Sequence, residues 1–205
     1  MRIFITRHGE TIWNTKGKMQ GHLNSPLTEK GVKNAEKLNI HLKNIKFDKV
    51  YCSPLGRAVE TANILVKEKN NKVEIIDNLS EMNFGCWEGM THTEVKEIYA
   101  EEHYNFWNKP ELYTPIDGES FDELIARAKS LLTDITNSCY ENVLLVSHAI
   151  LVRALYYVMK NYNMKEFWNP PFIEGTSLTI VEYKNNKFTF LKEASTEHLS
   201  SIYSN

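Results

Sequence analysis

Cysteine is scarce in this chain: Cys52, Cys86 and Cys139 are far apart and odd in number. That argues against a disulfide framework and against a zinc knuckle. Long apolar runs are missing too. The longest, Val143 to Met159, is interrupted by Ser147, His148 and Arg153, which are costly inside a bilayer, so no membrane span is expected. Neither sign of charge dominates. The 24 Lys+Arg stand against 26 Asp+Glu, for a net charge of -2, so no chain-wide basic field exists to hold nucleic acid or an acidic membrane. Any phosphate binding must be local. No Gly/Ser-rich or Pro-rich linker and no repeat divides the chain, so a single domain over residues 1–205 is expected. The opening run Met1 to Thr6 is cut short by Arg7 and His8, so it lacks the apolar core of about 7 to 15 residues that a signal peptide needs. The expected location is the cytoplasm. What is present is ordinary globular composition, with 42% hydrophobic and 24% charged residues, enough for a sizeable core and far from disordered or collagen-like chains.

Periodicity organises the rest. Arg2 to Thr6, Lys49 to Ser53, Val73 to Asp77 and Asn142 to Ser147 are short β-rich runs separated by longer helical patterns. Thr28 is placed to cap a helix over residues 29 to 44. Ser53-Pro54 sets a cap residue before a first-turn proline, and Thr91 with Glu94 and Ser120 with Glu123 have capping-box spacing. This alternation predicts an α/β fold: a doubly wound, mostly parallel sheet with helices on both faces. Late in the chain, Ser177 to Tyr183 and Lys187 to Lys192 flank Asn185-Asn186, a C-terminal β-hairpin at the sheet edge. Met82 to Gly118, after the third strand, breaks the alternation and reads as a helical insertion over one end of the sheet. Its aromatics, Phe84, Trp87, Tyr99, Tyr104, Phe106, Trp107 and Tyr113, are either satellite core or substrate-facing.

Ligands of open α/β sheets bind beyond the carboxyl ends of the strands. Arg7-His8-Gly9-Glu10-Thr11 follows the first strand, Arg57 the second, Glu81 the third and His148 the fourth. Arginine is rare here, five against 19 lysines, and two of the five stand at these ends, where the guanidinium fork suits a phosphoryl group. Phosphoryl transfer through histidine needs a neutral imidazole in line with phosphorus, donors around the equatorial oxygens and an acid for the leaving oxygen. His8 fits the nucleophile, its ring kept unprotonated by the adjacent arginines. Arg7, Arg57 and His148 fit the clamp, and Glu81 the acid, with Glu88 and Glu119 as nearby alternatives. Gly9 would let the backbone approach the ligand. Asn14 and Gln20-Gly21 either add neutral donors or form only a loop. His22, His41, His92, His103 and His198 show no ligand spacing such as HxH or HExxH and read as surface or capping residues. No metal and no cofactor is expected.

These residues resemble the histidine phosphatase superfamily, also called phosphoglycerate mutase-like. The likeness rests on Arg7 to Thr11 with Trp13-Asn14, Met19-Gln20-Gly21, Ser25 to Gly31, Ser53 to Thr61, Glu81 with Phe84-Gly85 and Trp87-Glu88-Gly89, Gly118-Glu119-Ser120, and Leu144 to His148. Phe106-Trp107, Leu112-Tyr113, Trp168-Asn169-Pro170-Pro171 and Gly175-Thr176-Ser177 are similar to the bacterial broad-specificity phosphatases. The resemblance implies His8 as the phosphorylated residue, Arg7, Arg57 and His148 as the phosphate pocket, and Glu81 as proton donor. One position departs: Ala149 stands in the substrate-binding stretch where the family usually has glycine, which puts a backbone contact or tight turn in question.

The expected activity is metal-independent hydrolysis of small phosphate monoesters through a phosphohistidine, with a homodimer as an admissible assembly. The rivals are a cofactor-dependent phosphoglycerate mutase, an α-ribazole or sugar-phosphate phosphatase, and a phospho-ligand binding protein without turnover. Mutases of the superfamily carry an arginine pair in the insertion, and Met82 to Gly118 has no arginine.

Overall fold

A computed structural model describes residues 1–69, 71–169 and 171–200. Four strands, β1 (Arg2–Arg7), β2 (Lys49–Cys52), β3 (Val73–Ile75) and β4 (Asn142–Ser147), pair in parallel. The hairpin of β5 (Leu178–Lys184) and β6 (Lys187–Ser195) completes a six-stranded sheet in the order β3-β2-β4-β1-β5-β6, with β5 antiparallel to β1. Asn185 and Asn186 both take positive φ, 52° and 58°, the left-handed pair that a two-residue type I′ turn requires. β6 bulges opposite Leu178 to Val181, with extra residues there as it runs on to Ser195. The Thr179 hydroxyl accepts the Ala194 N–H there at 3.0 Å.

Period-2 side-chain alternation sends each strand into two cores. Ile3, Ile5, Val143 and Leu145 meet helices α6 (Phe121–Thr136) and α7 (Ala149–Lys160) on one face. Phe4, Leu144 and Val146 meet α2 (Glu29–His41) and α3 (Gly56–Val66) on the other. A short α1 (Ile12–Thr15) follows β1. Thr28 caps α2 as predicted, but the helix ends at His41, where the Leu42 N–H turns back to the Leu38 and Ile40 carbonyls. Both capping boxes form, Thr91 on α4 (His92–Ile98) and Ser120 on α6. Ser53 does not cap α3. Leu55 occupies that position, and the Ser53 hydroxyl instead meets Leu55 N at 3.2 Å and His148 Nε2 at 2.7 Å.

The insertion adds α4 and α5 (Ala100–Asn108). Its two ends are tied together. Glu119 N–H donates to Asn83 O at 2.8 Å, Asn83 N–H donates to the Glu119 carboxylate at 3.2 Å, and Cys86 N–H donates to Ile116 O at 3.2 Å. Gly85 makes this possible: at φ 56° a Cβ there would lie 2.2 Å from Ile116 O. No helix among the described residues is long and apolar enough to cross a membrane.

Candidate active site

The carboxyl ends of the parallel strands open into a cavity of about 270 Å³. Its inner wall holds Arg7, His8, Arg57 and Glu81, with Asn14, Gln20, Gly21 and Ala149 on the same lining. The structure therefore brings together eight of the nine residues that the sequence singles out, and it sets the ninth, His148, behind His8 with ring centroids 5.0 Å apart.

His8 leaves β1 fully enclosed. Its Nδ1 lies 2.7 Å from the carbonyl oxygen of Gly9, so Nδ1 carries the proton and Nε2 carries the lone pair. The guanidinium Nε–H of Arg57 donates to that Nε2 at 3.3 Å. Burial, then the charges of Arg7 and Arg57, hold the His8 pKa well below that of a free imidazole, which keeps the ring neutral. The sequence named the arginines as the cause; desolvation is the larger one.

Gly9, which carries that carbonyl, is held through its own N–H. Gly9 N–H donates to Thr61 Oγ1 at 3.0 Å, and the same hydroxyl donates to Arg57 O at 2.7 Å on α3. A Cβ on Gly9 would point at the Gly31 carbonyl oxygen, 2.8 Å away, and one on Gly31 would lie 2.2 Å from Glu10 O. Gly9 is thus required by the close packing of this loop on α2, and its open side is not the one turned to the cavity.

Arg57 is buried at the start of α3 and braces the loop opposite: Nη1 donates to Leu23 O at 2.7 Å and Nη2 to Gly21 O at 2.8 Å. Arg7 is anchored by Nη1 to Ile173 O at 2.9 Å, while its buried Nε has no partner among the described residues. His148 Nδ1 and Gln20 Oε1 are likewise buried without partners. Buried polar atoms are normally satisfied, so three orphans around one cavity mark where a polar ligand would sit. Asn14 gives its oxygen to Thr11 N and Oγ1, at 3.0 and 2.9 Å, in the cap of α1, so the amide NH₂ is the end left for a ligand.

Of the three carboxylates that the sequence leaves open, only Glu81 lines the cavity. It caps α7: Oε1 accepts Met82 N at 3.0 Å, Ile150 N at 3.2 Å and Leu151 N at 3.2 Å. Glu88 is used by the backbone N–H groups of His22, Leu23 and Phe84. Glu119 pairs with Arg127, Nε to Oε1 at 2.6 Å. Arg127 in turn donates to the carbonyls of Asn78, Ser80 and Glu81 at 3.0, 2.7 and 3.1 Å, pinning the turn that presents Glu81 to α6. Sequence reasoning passed over Arg127, because nothing in its spacing says that it reaches back 46 residues. Ala149 is the first residue of α7 with ordinary negative φ, so no glycine conformation is needed there, and its methyl simply joins the cavity wall.

The outer cavity brings in residues that the sequence did not single out. The insertion has no arginine, yet Lys18, from the loop after α1, and Arg153, one turn into α7, both line the mouth, together with His92. Burial lowers the pKa of Arg153 and of His92. The aromatics divide between the two readings: Phe84, Phe106 and Trp107 face the cavity beside Trp168 and Phe172, whereas Trp87 and Tyr113 pack only in the core. Pro170, between Trp168 and Phe172, lies outside the described residues. His198, expected at the surface, is buried with its ring 5.9 Å from His41 on α2 and its pKa pushed down to about 4 by that burial.

A family model described as "Histidine phosphatase superfamily (branch 1)" matches residues 3–196. The chain belongs to the histidine phosphatase superfamily. This histidine phosphatase is 30% identical over 204 residues to phosphoserine phosphatase 1 of Hydrogenobacter thermophilus, covering 99% of this chain and 96% of that one. It is 36% identical over 149 residues to the adenosylcobalamin/alpha-ribazole phosphatase of Escherichia coli, covering 72% and 73%. Among solved structures, Bacillus stearothermophilus YhfR superposes with a TM-score of 0.92 at 35% identity, over 97% of this chain and 98% of that one. The protein is accordingly an enzyme of the phosphomonoesterase type, and its α/β sheet is the one seen in these relatives.

Proposed function

We propose that this histidine phosphatase hydrolyses small phosphate monoesters, without a metal, through a phosphohistidine on His8. The observation that carries the reading is the tautomer: the Nδ1–H donated to Gly9 O leaves Nε2 as the ring nitrogen with the lone pair, met at 3.3 Å by Arg57 Nε–H. The phosphoryl group sits among the unpartnered atoms of Arg7 and His148 and the fork of Arg57. As Nε2 forms its bond to phosphorus, the ester P–O bond breaks, and protonated Glu81 gives its proton to the departing oxygen. Ester binding has by then drawn Arg57 Nε–H from Nε2 to a phosphoryl oxygen, which frees the lone pair for attack. A water next attacks phosphorus, the P–N bond breaks, and Glu81 takes the water's proton, restoring both groups.

Asn14, Gln20, Gly21 and Ala149 border the substrate in this scheme, and one domain, residues 1–205, working in the cytoplasm carries the whole site. The metal-independent character is supported by the cationic donors already facing the phosphoryl position. A relative from Arabidopsis thaliana, 31% identical over 205 residues, is named a metal-independent phosphoserine phosphatase. The test is a rapid quench without acid during turnover of p-nitrophenyl phosphate. Phosphate bound at His8, and loss of both label and turnover in His8→Ala, is the expected result; label on His148 would reverse the assignment.

A further inference from the structure

The charge on the cavity wall exceeds what one phosphate needs. Arg7, Arg57, Lys18 and Arg153 line it as cations, and Glu81 is the one acid on the lining, already receiving three backbone N–H groups. The whole chain carries a net charge of -2, so this concentration of positive charge is local. The inner pair faces the phosphoryl position. The outer pair, Lys18 and Arg153, has no carboxylate within ion-pairing distance among the described residues.

Neither outer cation is left without a carboxylate by being swung out into water. Arg153 lies half-buried, with its guanidinium 5.4 Å from the Trp168 ring centroid and Nη1 donating to Asn169 O at 3.0 Å. The remaining N–H groups of its fork have no partner among the described residues. Lys18 stands 5.4 Å over the Trp13 ring. Its electrostatic neighbour Glu94 already has Oε2 engaged by Thr91 N at 2.7 Å and Thr91 Oγ1 at 2.8 Å. A half-buried, positioned cation beside aromatic walls is costly when unpaired. An ester of a neutral alcohol would leave both cations unpaired.

We infer that the substrate of this enzyme carries a second anionic group, a carboxylate or a further phosphate, on its alcohol side, bound by Lys18 and Arg153. This rests on the phosphatase reading above and names the class of ester that the site selects. Arg153 supplies a planar fork for two oxygens, and Lys18 supplies a point charge from the opposite loop. The Trp168 ring orients Arg153.

The test compares esters that differ only in the distal group, by phosphate release: 3-phosphoglycerate against glycerol 3-phosphate for a carboxylate, and 1,3-propanediol bisphosphate against 3-hydroxypropyl phosphate for a phosphate. In the wild type the kcat/KM ratio of anionic to neutral ester should reach about tenfold or more in at least one pair, and should shrink with added salt. The pair with the larger ratio identifies the group. Lys18→Met and Arg153→Gln should each drive that ratio toward one, while Lys18→Arg and Arg153→Lys should retain most of it. Should Arg153→Gln fold poorly, Lys18→Met, on a surface loop, still decides. A wild-type ratio near or below one in both pairs, with p-nitrophenyl phosphate turned over normally, overturns the inference and leaves the phosphatase reading standing. Absence of turnover on every ester, p-nitrophenyl phosphate included, overturns both.

Discussion

Thr61→Val should weaken this enzyme out of proportion to its size. Thr61 is fully buried, and its hydroxyl accepts the Gly9 N–H at 3.0 Å while donating to Arg57 O at 2.7 Å. Valine keeps the shape and removes the acceptor. The Gly9 N–H is then buried without a partner, at a cost of about 1–3 kcal/mol, against which the extra methyl returns at most about 0.8 kcal/mol. A net destabilisation of about 1–2 kcal/mol should lower Tm by about 2–8 °C in a chain of this size. Gly9 also supplies, in the next peptide unit, the carbonyl that fixes the His8 tautomer at 2.7 Å. Its loosening should cost kcat about tenfold, with KM changed less. Thr61→Ser, which restores the hydroxyl and leaves a small void, should recover most of the kcat even if it melts early. Thermal melts and steady-state kinetics of the three proteins decide the matter. A valine variant with wild-type kcat, or a serine variant as slow as the valine one, would refute the claim that this hydroxyl positions the nucleophile's loop.

Glu81→Gln should slow alkyl phosphates such as glycerol phosphate by about 10²–10⁴ while sparing p-nitrophenyl phosphate, whose leaving group needs little proton transfer; equal losses on both would remove the acid role, and Glu88→Gln serves as control. Arg127→Met should show the same alkyl-selective loss in milder form, because it frees the carbonyls of Asn78, Ser80 and Glu81 without touching substrate; an equal loss on aryl and alkyl esters would mean that Arg127 supports only the fold. His8, His148 and His198 all have pKa values depressed by burial, His198 to about 4. The unfolded chain therefore takes up protons near pH 6.5 that the native state refuses, and stability is full above that pH. As pH falls below about 6.5, each of the three should withdraw up to about 1.4 kcal/mol per unit until its native pKa is reached. His198→Asn should flatten the fall in Tm between pH 7 and pH 5, and a variant that keeps the wild-type slope would contradict its buried, neutral state.

How much of this was visible in the sequence depended on the range over which each cause acts. Arg7, His8, Arg57, Glu81 and His148 could be placed because a strand end is a local signal and the parallel sheet does the rest. Asn185-Asn186 declared its turn outright, since few dipeptides tolerate two positive φ values in succession. Ser53 was misread because a tertiary partner, His148, competes with the local cap and wins. Lys18, Arg153 and Trp168 stayed hidden as cavity residues for the same reason: the course of the loop after α1, the rotation of α7 and the return of residues 167–169 and 171–173 to the mouth leave no mark in local spacing. His198 looked like a surface histidine until α2 was found packed over it.

The stapled neck of the insertion makes its outer part tolerant of changes in length. Asn83 and Glu119 meet whatever lies between them, so residues 84 to 118 begin and end at one fixed point on the scaffold. The entropy of closing such a loop grows only slowly with its length. Residues 88 to 92 are tied back to the loop of residues 17 to 23, so a change of length beyond them, within residues 93 to 115, should leave the sheet, the Arg127 brace and the nucleophile where they are. The aromatic wall over the cavity can thus be varied while Lys18 and Arg153, outside the insertion, and the groups that break the phosphate ester stay in place.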